Sequence, residues 1–291
     1  MLSADEGWAV GDSGLMFHYQ HGTWSLVCGP TTRSLVGVAM TSADEGWAVG
    51  TGGTLLQYRR ATWTQVTSPV ESDLNSITMI SADEGWIASG DTSATLLHYH
   101  GGRWTLETLP FAGFLHGVSM VSADEGWAVG AGSLSPASNG QTESLILHYH
   151  AGTWTRVTSP ANAELNGVAM VSADEGWAAG SSSAGGGTPL LLHYTHGQWV
   201  SVPLNGLAPA DTELDGVTML SPSDVWAVGR HGVILHYSHG AWASMASPVP
   251  DDLRQIVMLS ATDGWAAGSG ILHYNGKAWT VVTLPLPPSG P

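Results

Sequence analysis

One position in this sequence carries a different side chain in nearly every copy of a repeated motif. The motif approximates Leu-x-Gly-Val-x-Met, and its second residue is Val36, Asn75, His116, Asn166, Asp215 or Arg254. Amides, an imidazole, a carboxylate and a guanidinium supply donors, acceptors and charges that suit a glycan or a peptide. We therefore predict a ligand-binding site formed by Asn75, His116, Asn166, Asp215 and Arg254. The alternative is that these residues are solvated strand ends without a shared role.

Acidic residues stand directly before the same leucine in four copies, at Asp73, Glu164, Glu213 and Asp252. A pair of carboxyl groups can act as general acid and base in glycoside hydrolysis, so a hydrolase or lyase using these residues or His116 is the catalytic alternative. The sequence does not fix their separation. It contains no glycine-rich phosphate loop, nucleophile elbow, CxxC or HExxH motif. These observations favour binding over catalysis, and we predict neither a catalytic residue nor a cofactor.

A second acidic position repeats in every copy, at Glu6, Glu45, Glu84, Glu125, Glu175, Asp224 and Asp263. Clustered carboxylates bind hard cations such as Ca²⁺, but equivalent turns in a ring of repeats lie too far apart to share one ion. We interpret the stretch Ser-Ala-Asp-Glu-Gly as a tight turn in which Asp hydrogen-bonds the local backbone.

Histidine also repeats at one strand position, at His18, His98, His148, His193, His236 and His273. Such repetition favours packing or a hydrogen bond to a neighbouring repeat. The turn that follows contains His21, His100, His150, His196 and His239. Two imidazoles bind a metal only weakly, because structural and catalytic zinc sites need three or four ligands. We predict no metal site.

The elements that must position these residues follow from the aromatic pattern. One tryptophan series is Trp8, Trp47, Trp86, Trp127, Trp177, Trp226 and Trp265, and a second series of seven accounts for the rest of the fourteen. Each of the seven repeats contains four short apolar runs bounded by turn residues, as in LNGVAMVS, GWAAG, LLLHY and QWVSV. Four strands in about 40 residues are typical of a β-propeller blade. The repeated tryptophans then form the core and the contacts between blades.

We therefore predict an all-β fold, a single seven-bladed β-propeller of four-stranded blades over residues 1–291. The predicted blades lie near 1–33, 34–72, 73–113, 114–163, 164–212, 213–251 and 252–291. Strands a to d run from the channel outwards, and the b–c and d–a connections share one face, called the top here. Insertions at 131–144, 181–189 and 205–213 lengthen top connections, so the ligand is expected there, beneath the loops of blades 4 and 5.

Blade 1 differs from the others at its start. Met1 falls on the last position of the strand-a motif, where Met40 and Met79 stand in blades 2 and 3. We therefore predict that blade 1 lacks most of its inner strand. The chain is then expected to be a piece of a longer one, whose remainder holds an export signal, an anchor or a catalytic domain.

The unit MVSADEGWAVG followed by LLHYHAGTWT resembles the repeat of BNR or Asp-box propellers, a group that includes sialidases and photosystem II assembly factors. The resemblance spans all seven units and implies the propeller fold. However, turns such as YQHGTW and YHAGTW lack the Asp of the family's box. No motif supplies the arginine triad, Tyr–Glu pair and Asp that sialidase chemistry requires. The resemblance therefore implies architecture rather than that activity.

The amino-acid composition limits the classes of ligand that are expected. A net charge of −16 with only 8 Lys and Arg excludes nucleic acid as an expected ligand, since phosphate binding needs clustered cations. No apolar run is long enough for a membrane span, and the single cysteine, Cys28, precludes an internal disulfide. We expect a monomeric, extracellular or cell-surface recognition module for a glycan or peptide. A purely architectural domain of a larger surface protein is the third alternative.

Overall fold

Short apolar runs separated by Gly, Ser and Asp form strands throughout the part of the protein described by the computed structural model, residues 1–90, 93–132, 142–182 and 187–285. Within these residues the strands, in chain order, are β1 (Glu6–Val10), β2 (Met16–Gln20), β3 (Thr23–Val27), β4 (Leu35–Ser42), β5 (Glu45–Gly50), β6 (Thr54–Arg59), β7 (Thr62–Val66), β8 (Leu74–Ser81), β9 (Glu84–Gly90), β10 (Ser93–His100), β11 (Arg103–Ser122), β12 (Glu125–Gly132), β13 (Ser144–His150), β14 (Thr153–Val157), β15 (Ala163–Ser172), β16 (Glu175–Ser182), β17 (Thr188–Thr195), β18 (Gln198–Val202), β19 (Leu214–Ser221), β20 (Asp224–Gly229), β21 (Ile234–Ser238), β22 (Ala241–Met245), β23 (Leu253–Ser260), β24 (Asp263–Gly268), β25 (Ile271–Tyr274) and β26 (Trp279–Val282).

The strands pair with their sequence neighbours into antiparallel sheets. Blades 2, 5, 6 and 7 are the four-stranded sheets β4–β7, β15–β18, β19–β22 and β23–β26. Blade 1 contains only β1, β2 and β3, which confirms the prediction that it lacks its inner strand.

Blades 3 and 4 share a strand. The 20-residue β11 pairs with β10 through its first half and with β12 through its second half. This strand joins β8–β10 and β12–β14 into one seven-stranded sheet. The turn expected between these blades is therefore replaced by continuous extended backbone, and the predicted boundary after residue 113 lies inside that strand.

Aromatic side chains pack every blade onto the next. The indole of Trp47 in strand b of blade 2 contacts Tyr99 and Trp104 of blade 3, with ring centroids 5.1 and 5.4 Å apart. The same three-ring contact recurs around the ring. Trp265 of blade 7 packs against Tyr19 and Trp24 of blade 1, which closes the circle. Thirteen tryptophans are buried and Trp242 is half-buried, as predicted for core residues.

The repeated histidine packs inside its own blade. Trp86 lies opposite His98 in the antiparallel register, and the two rings stack with centroids 4.0 Å apart. Side chains alternate along a strand, so Glu84 shares a face with Trp86 and its carboxylate contacts His98 Nε2. This acid–imidazole–indole cluster recurs in six blades, whereas blade 2 has Gln57 and pairs Glu45 with Arg59 at 2.7 Å.

The stack on tryptophan is the packing that was one of the two sequence expectations for the repeated histidine. The other expectation is corrected, because the partner of the histidine is an acid of the same blade and not a group of a neighbouring blade. The expectation for the turn is also corrected: Asp44 donates its backbone N–H to Ser42 Oγ at 3.2 Å, so the serine two residues before Asp supplies the side-chain hydrogen bond. Among the described residues no group of three or more His, Cys, Asp and Glu is arranged to hold a metal ion.

The described ranges contain no helix with the length and apolar character needed to cross a membrane.

Candidate ligand-binding site at the channel mouth

The six inner strands β4, β8, β11, β15, β19 and β23 follow one another around the central channel. Each contains a buried leucine at its top end. The most exposed of these leucines is Leu35, at 2%, and others, such as Leu214, are fully buried. The ladder shifts register directly after this leucine in every inner strand, for example between Leu35 and Gly37. The variable residue is therefore a β-bulge residue, and a bulge re-aims a side chain away from the regular pleat.

All five predicted residues line one polar cavity of about 530 Å³ at this end of the channel. The cavity wall also contains Val36 and the following charged residues: Asp12, Glu164, Glu213, Arg230, Asp252. The structure therefore brings together five blades at the position where their sequences differ.

Two asparagines of the set join adjacent inner strands. Asn75 Nδ2 donates to the carbonyl oxygen of Leu115 at 2.8 Å, and Asn166 Nδ2 donates to that of Leu214 at 3.1 Å. Asn166 Nδ2 also lies 3.3 Å from Asp215 Oδ1. Their amide donors are thus used between blades, which the sequence did not indicate.

His116 also contacts the next blade, but through a carboxylate side chain. Its Nε2 lies 3.2 Å from Glu164 Oε1, at ion-pair distance but without hydrogen-bond alignment. Interaction with His116 lowers the pKa of the Glu164 carboxyl, and burial of the carboxyl opposes this effect. This contact joins the inner strands of blades 4 and 5 at one side of the mouth.

Asp215 has the most perturbed carboxyl of the mouth. Burial raises its pKa from 3.8 to about 6, while Arg230 acts in the opposite direction and Glu213 adds to the rise. Partial desolvation disfavours the charged form of an acid. Near neutral pH Asp215 is therefore a poorly solvated anion that a ligand cation or N–H donor would stabilise.

The other charged residues of the mouth differ in whether they have a partner. Arg230 is paired with Glu213 at 2.7 Å, and Asp252 Oδ1 accepts the backbone N–H of His231 at 3.1 Å. Arg254 is exposed and makes no ion pair within the part of the chain that the structure describes. Among the described residues of the lining, carboxylates outnumber guanidinium groups, so this surface is acidic and Arg254 is its one cation without an ion pair.

Asp73, predicted with the acidic set, lies apart from the cavity lining. Its Oδ1 accepts the backbone N–H of Gly52 at 2.7 Å and so holds the b–c turn of blade 2. The loops of blades 4 and 5 that were expected to cover the ligand lie largely outside the described residues, at 133–141 and 183–186.

No family model matches the sequence, and no curated protein matches it. Among solved structures, YCF48 bound to D1 peptide is similar with a TM-score of 0.69 and 16% identity, over 99% of this chain and 92% of that one. The WD40 β-propeller domain of Doa1 gives a TM-score of 0.71 and 12% identity, over 94% of this chain and 89% of that one. This chain is a β-propeller.

A third similar structure is the extracellular domain of a hybrid two-component system from B. thetaiotaomicron. The TM-score is 0.61 at 13% identity, and the alignment covers 85% of this propeller and 32% of that chain. At these identities the likeness concerns the fold, so the chemistry of the propeller's mouth must be argued from its own residues.

Sequence reasoning missed three polar side chains of the propeller's mouth that come from b–c turns: Asp12, Arg230 and Ser269. Arg230 carried a usable signal, because few arginines occur in the chain and this one directly follows Gly229 at the end of a strand b. A charged residue at that place lies on the top face in any propeller with this strand order.

Proposed function

We propose that this β-propeller is a non-catalytic recognition module that binds a peptide at the channel mouth of its top face. One observation carries the proposal: the five side chains at the variable position of otherwise repeated blades converge on one polar cavity. A repeat that keeps its frame and varies one inward-facing position produces an asymmetric surface, which recognition requires.

A peptide suits the charges of the mouth. Asp215 and Glu164 would bind the ammonium or guanidinium group of a basic side chain, and Arg254 would bind a carboxylate. A neutral glycan would use only the hydrogen-bonding groups, so it is the second choice of ligand. A similar propeller, YCF48, has been solved with a peptide bound, which supports the kind of partner and not its location or sequence.

The catalytic alternative also has an observation in its favour. Asp215, with its pKa of about 6, lies among other carboxylates and has the protonation behaviour of a general acid. Assays on chromogenic glycosides separate the two functions. We expect no turnover; turnover that is lost in Asp215→Asn would establish a hydrolase.

We propose an extracellular or cell-surface location and a monomeric state for this module. Support comes from its scarcity of lysine and from its likeness to an extracellular domain. The same likeness, which covers 32% of that longer chain, also fits a propeller that acts as an architectural domain of a larger surface protein. If the protein binds nothing on peptide and glycan arrays, the architectural role is favoured.

Peptide and glycan arrays on the purified protein test the proposal. His116→Ala and Arg254→Ala should each reduce binding of the same ligands. Two control variants remove the same side-chain types elsewhere: Arg103→Ala on an exposed strand, and His21→Ala in an exposed turn where blade 4 already has Ala151. If the control variants weaken binding as much as the mouth variants do, the proposed site is wrong.

A further inference from the structure

The inner strands contain a second bulge, at the end of the channel opposite the mouth. In blade 2 the pairing shifts register between Met40 and Ser42, so Thr41 is the bulge residue. The same shift occurs in the other five inner strands. The a–b turns lie at this end of the channel, which is called the bottom face here. The bulge residues of blades 3 to 7 are Ile80, Val121, Val171, Leu220 and Leu259.

The bulge residue is apolar and exposed in three adjacent blades. Ile80, Val121 and Val171 are 36%, 36% and 37% exposed, and their strands β8, β11 and β15 are neighbours around the channel. By contrast, Leu220 and Leu259 pack against the cores between blades and are half-buried. An apolar patch formed by Ile80, Val121 and Val171 therefore lies on the bottom face of blades 3 to 5.

The fold does not require an apolar residue at this place. Blade 2 has Thr41 there, and its hydroxyl donates to the carbonyl oxygen of Glu45 at 3.2 Å. Threonine has the branched shape of valine and isoleucine, and it shares their preference for strands. The geometry of the bulge therefore does not explain the three exposed apolar side chains. Contact with another protein would remove them from water.

An acidic rim flanks the apolar patch. The a–b turns of blades 3, 4 and 5 each present an exposed aspartate, which is Asp83, Asp124 or Asp174. Burial raises the pKa of Tyr194, and Asp174 of the same blade and Glu125 of the preceding blade add to the rise. Acids of two neighbouring blades therefore act on one group, so the negative charge of the bottom face is continuous from blade to blade.

The bottom turns of blades 4 and 5 do not neutralise this charge. The backbone N–H of Ala151 donates to the carbonyl oxygen of Asp124 at 3.0 Å, so the c–d turn lies beside the a–b turn. Neither Lys nor Arg occurs in these turns, which are residues 122–125, 150–153, 172–175 and 195–198. A partner that covers the apolar patch therefore also meets a negatively charged surface.

We propose that the bottom face of blades 3 to 5 is a docking surface for a segment of a partner protein in which apolar side chains are flanked by lysine or arginine. The apolar side chains cover Ile80, Val121 and Val171, and the cations pair with the aspartates of the rim.

The charge of the rim argues against two other occupants. A second copy of this chain would bring an identical acidic rim against the first, and an anionic membrane would repel it. The docking surface lies at the end of the channel opposite the proposed ligand site, and neither site depends on the other.

A phage-displayed library of random peptides tests the surface. The library is selected on the wild type, and the affinities of the selected peptides are then measured for a variant that combines Ile80→Thr, Val121→Thr and Val171→Thr. Blade 2 already has this residue type at Thr41, so the variant should fold. We expect a group of selected peptides with apolar residues flanked by Lys or Arg, which this variant binds at least about tenfold more weakly.

A matched control removes the same number of exposed apolar side chains elsewhere. It combines Leu106→Thr, Val200→Thr and Val281→Thr, which lie on outer strands and are exposed. The control should bind the selected peptides like the wild type. Thermal unfolding checks that both threonine variants fold.

A third variant, Asp124→Ser with Asp174→Ser, tests the charges of the rim. Blade 6 has Ser223 at this place. The turn keeps its bond, because the backbone N–H of Asp124, and not its carboxylate, contacts Ser122 Oγ. Binding of the same peptides should weaken and should depend less on salt concentration, since fewer charges attract the peptide.

Arg254→Ala should bind these peptides like the wild type, which separates the bottom face from the mouth. The proposal is overturned by any of three results: no selected peptide binds the bottom threonine variant more weakly, the control variant loses as much affinity, or the peptides that depend on the bottom face lack Lys and Arg.

Discussion

Asn166 Nδ2 lies 3.1 Å from the carbonyl oxygen of Leu214, so a side chain of blade 5 is bonded to the inner strand of blade 6. Asn75 makes the equivalent bond to Leu115 at 2.8 Å. The residues at the variable position therefore differ in their contacts. The asparagines join neighbouring blades, whereas Arg254 is exposed.

This division predicts different costs for two substitutions in the mouth. Asn166→Ala removes a donor and leaves the Leu214 carbonyl without it, which should lower the free energy of unfolding by about 1 kcal/mol. Arg254→Ala should change it by less than about 0.5 kcal/mol, because the side chain is exposed and has no ion pair with any residue that the structure describes. Urea unfolding measures both. An equal loss of stability in the two variants would contradict the proposed division.

The raised pKa of Asp215 predicts that the free energy of unfolding depends on pH. Because its pKa rises from 3.8 to about 6 on folding, the folded state binds the proton more tightly than the unfolded state. The stabilising effect of that proton is complete below pH 3.8 and is lost as the pH rises through about 6.

Asp215→Asn should therefore be more stable than the wild type by about 1–2 kcal/mol at pH 8, with allowance for partial exposure. The difference should shrink to a small fraction of that value near pH 4. Thermal unfolding between pH 4 and pH 8 measures it, with Asp44→Asn in an exposed turn as the control for the charge change. A constant difference across this range would show that Asp215 does not titrate as described.

The acid–imidazole–indole cluster predicts a contrast between two histidines of blade 3. His98 stacks on Trp86 and contacts Glu84, with 21% of its side chain exposed. His100 contacts the same carboxylate at 3.0 Å but is 76% exposed. His98→Gln should cost about 1–2 kcal/mol of unfolding free energy, because both the ring stack and a partly buried hydrogen bond are lost.

His100→Gln should cost less than about 0.5 kcal/mol, since exposed ion pairs contribute little. Chemical denaturation of the two variants under the same conditions gives the comparison. If His100→Gln were the more damaging change, the role assigned to the ring stack would be wrong.

The propeller fold could be predicted from the sequence because its signals repeat. Trp47, its equivalents and the tyrosines mark blade after blade, so errors in one repeat are corrected by the others. The methionine register also predicted that blade 1 lacks its inner strand, which the three-stranded sheet confirms. The residues of the mouth were found for the opposite reason, because they are the ones that do not repeat.

The contacts of these residues were beyond sequence reasoning. The bulge after each inner leucine depends on pairing between strands, and the bonds of Asn75 and Asn166 depend on how closely the next blade approaches. The partner of each repeated histidine depends on which side chains of strands b and c point to the same face of the blade. In blade 3 this arrangement places Glu84 beside His98, and the partner is not a group of another blade. The continuous strand β11 joins two repeats that the motif spacing separates.

The most direct measurement of the central claim is the affinity of the best array ligand for four proteins: wild type, His116→Ala, Arg254→Ala and Arg103→Ala. Isothermal titration at one salt concentration gives the four dissociation constants. If the channel mouth is the recognition site, the two mouth variants bind at least about tenfold more weakly, as expected when a charged contact is removed, and Arg103→Ala binds like the wild type. Equal dissociation constants for all four proteins would contradict the claim.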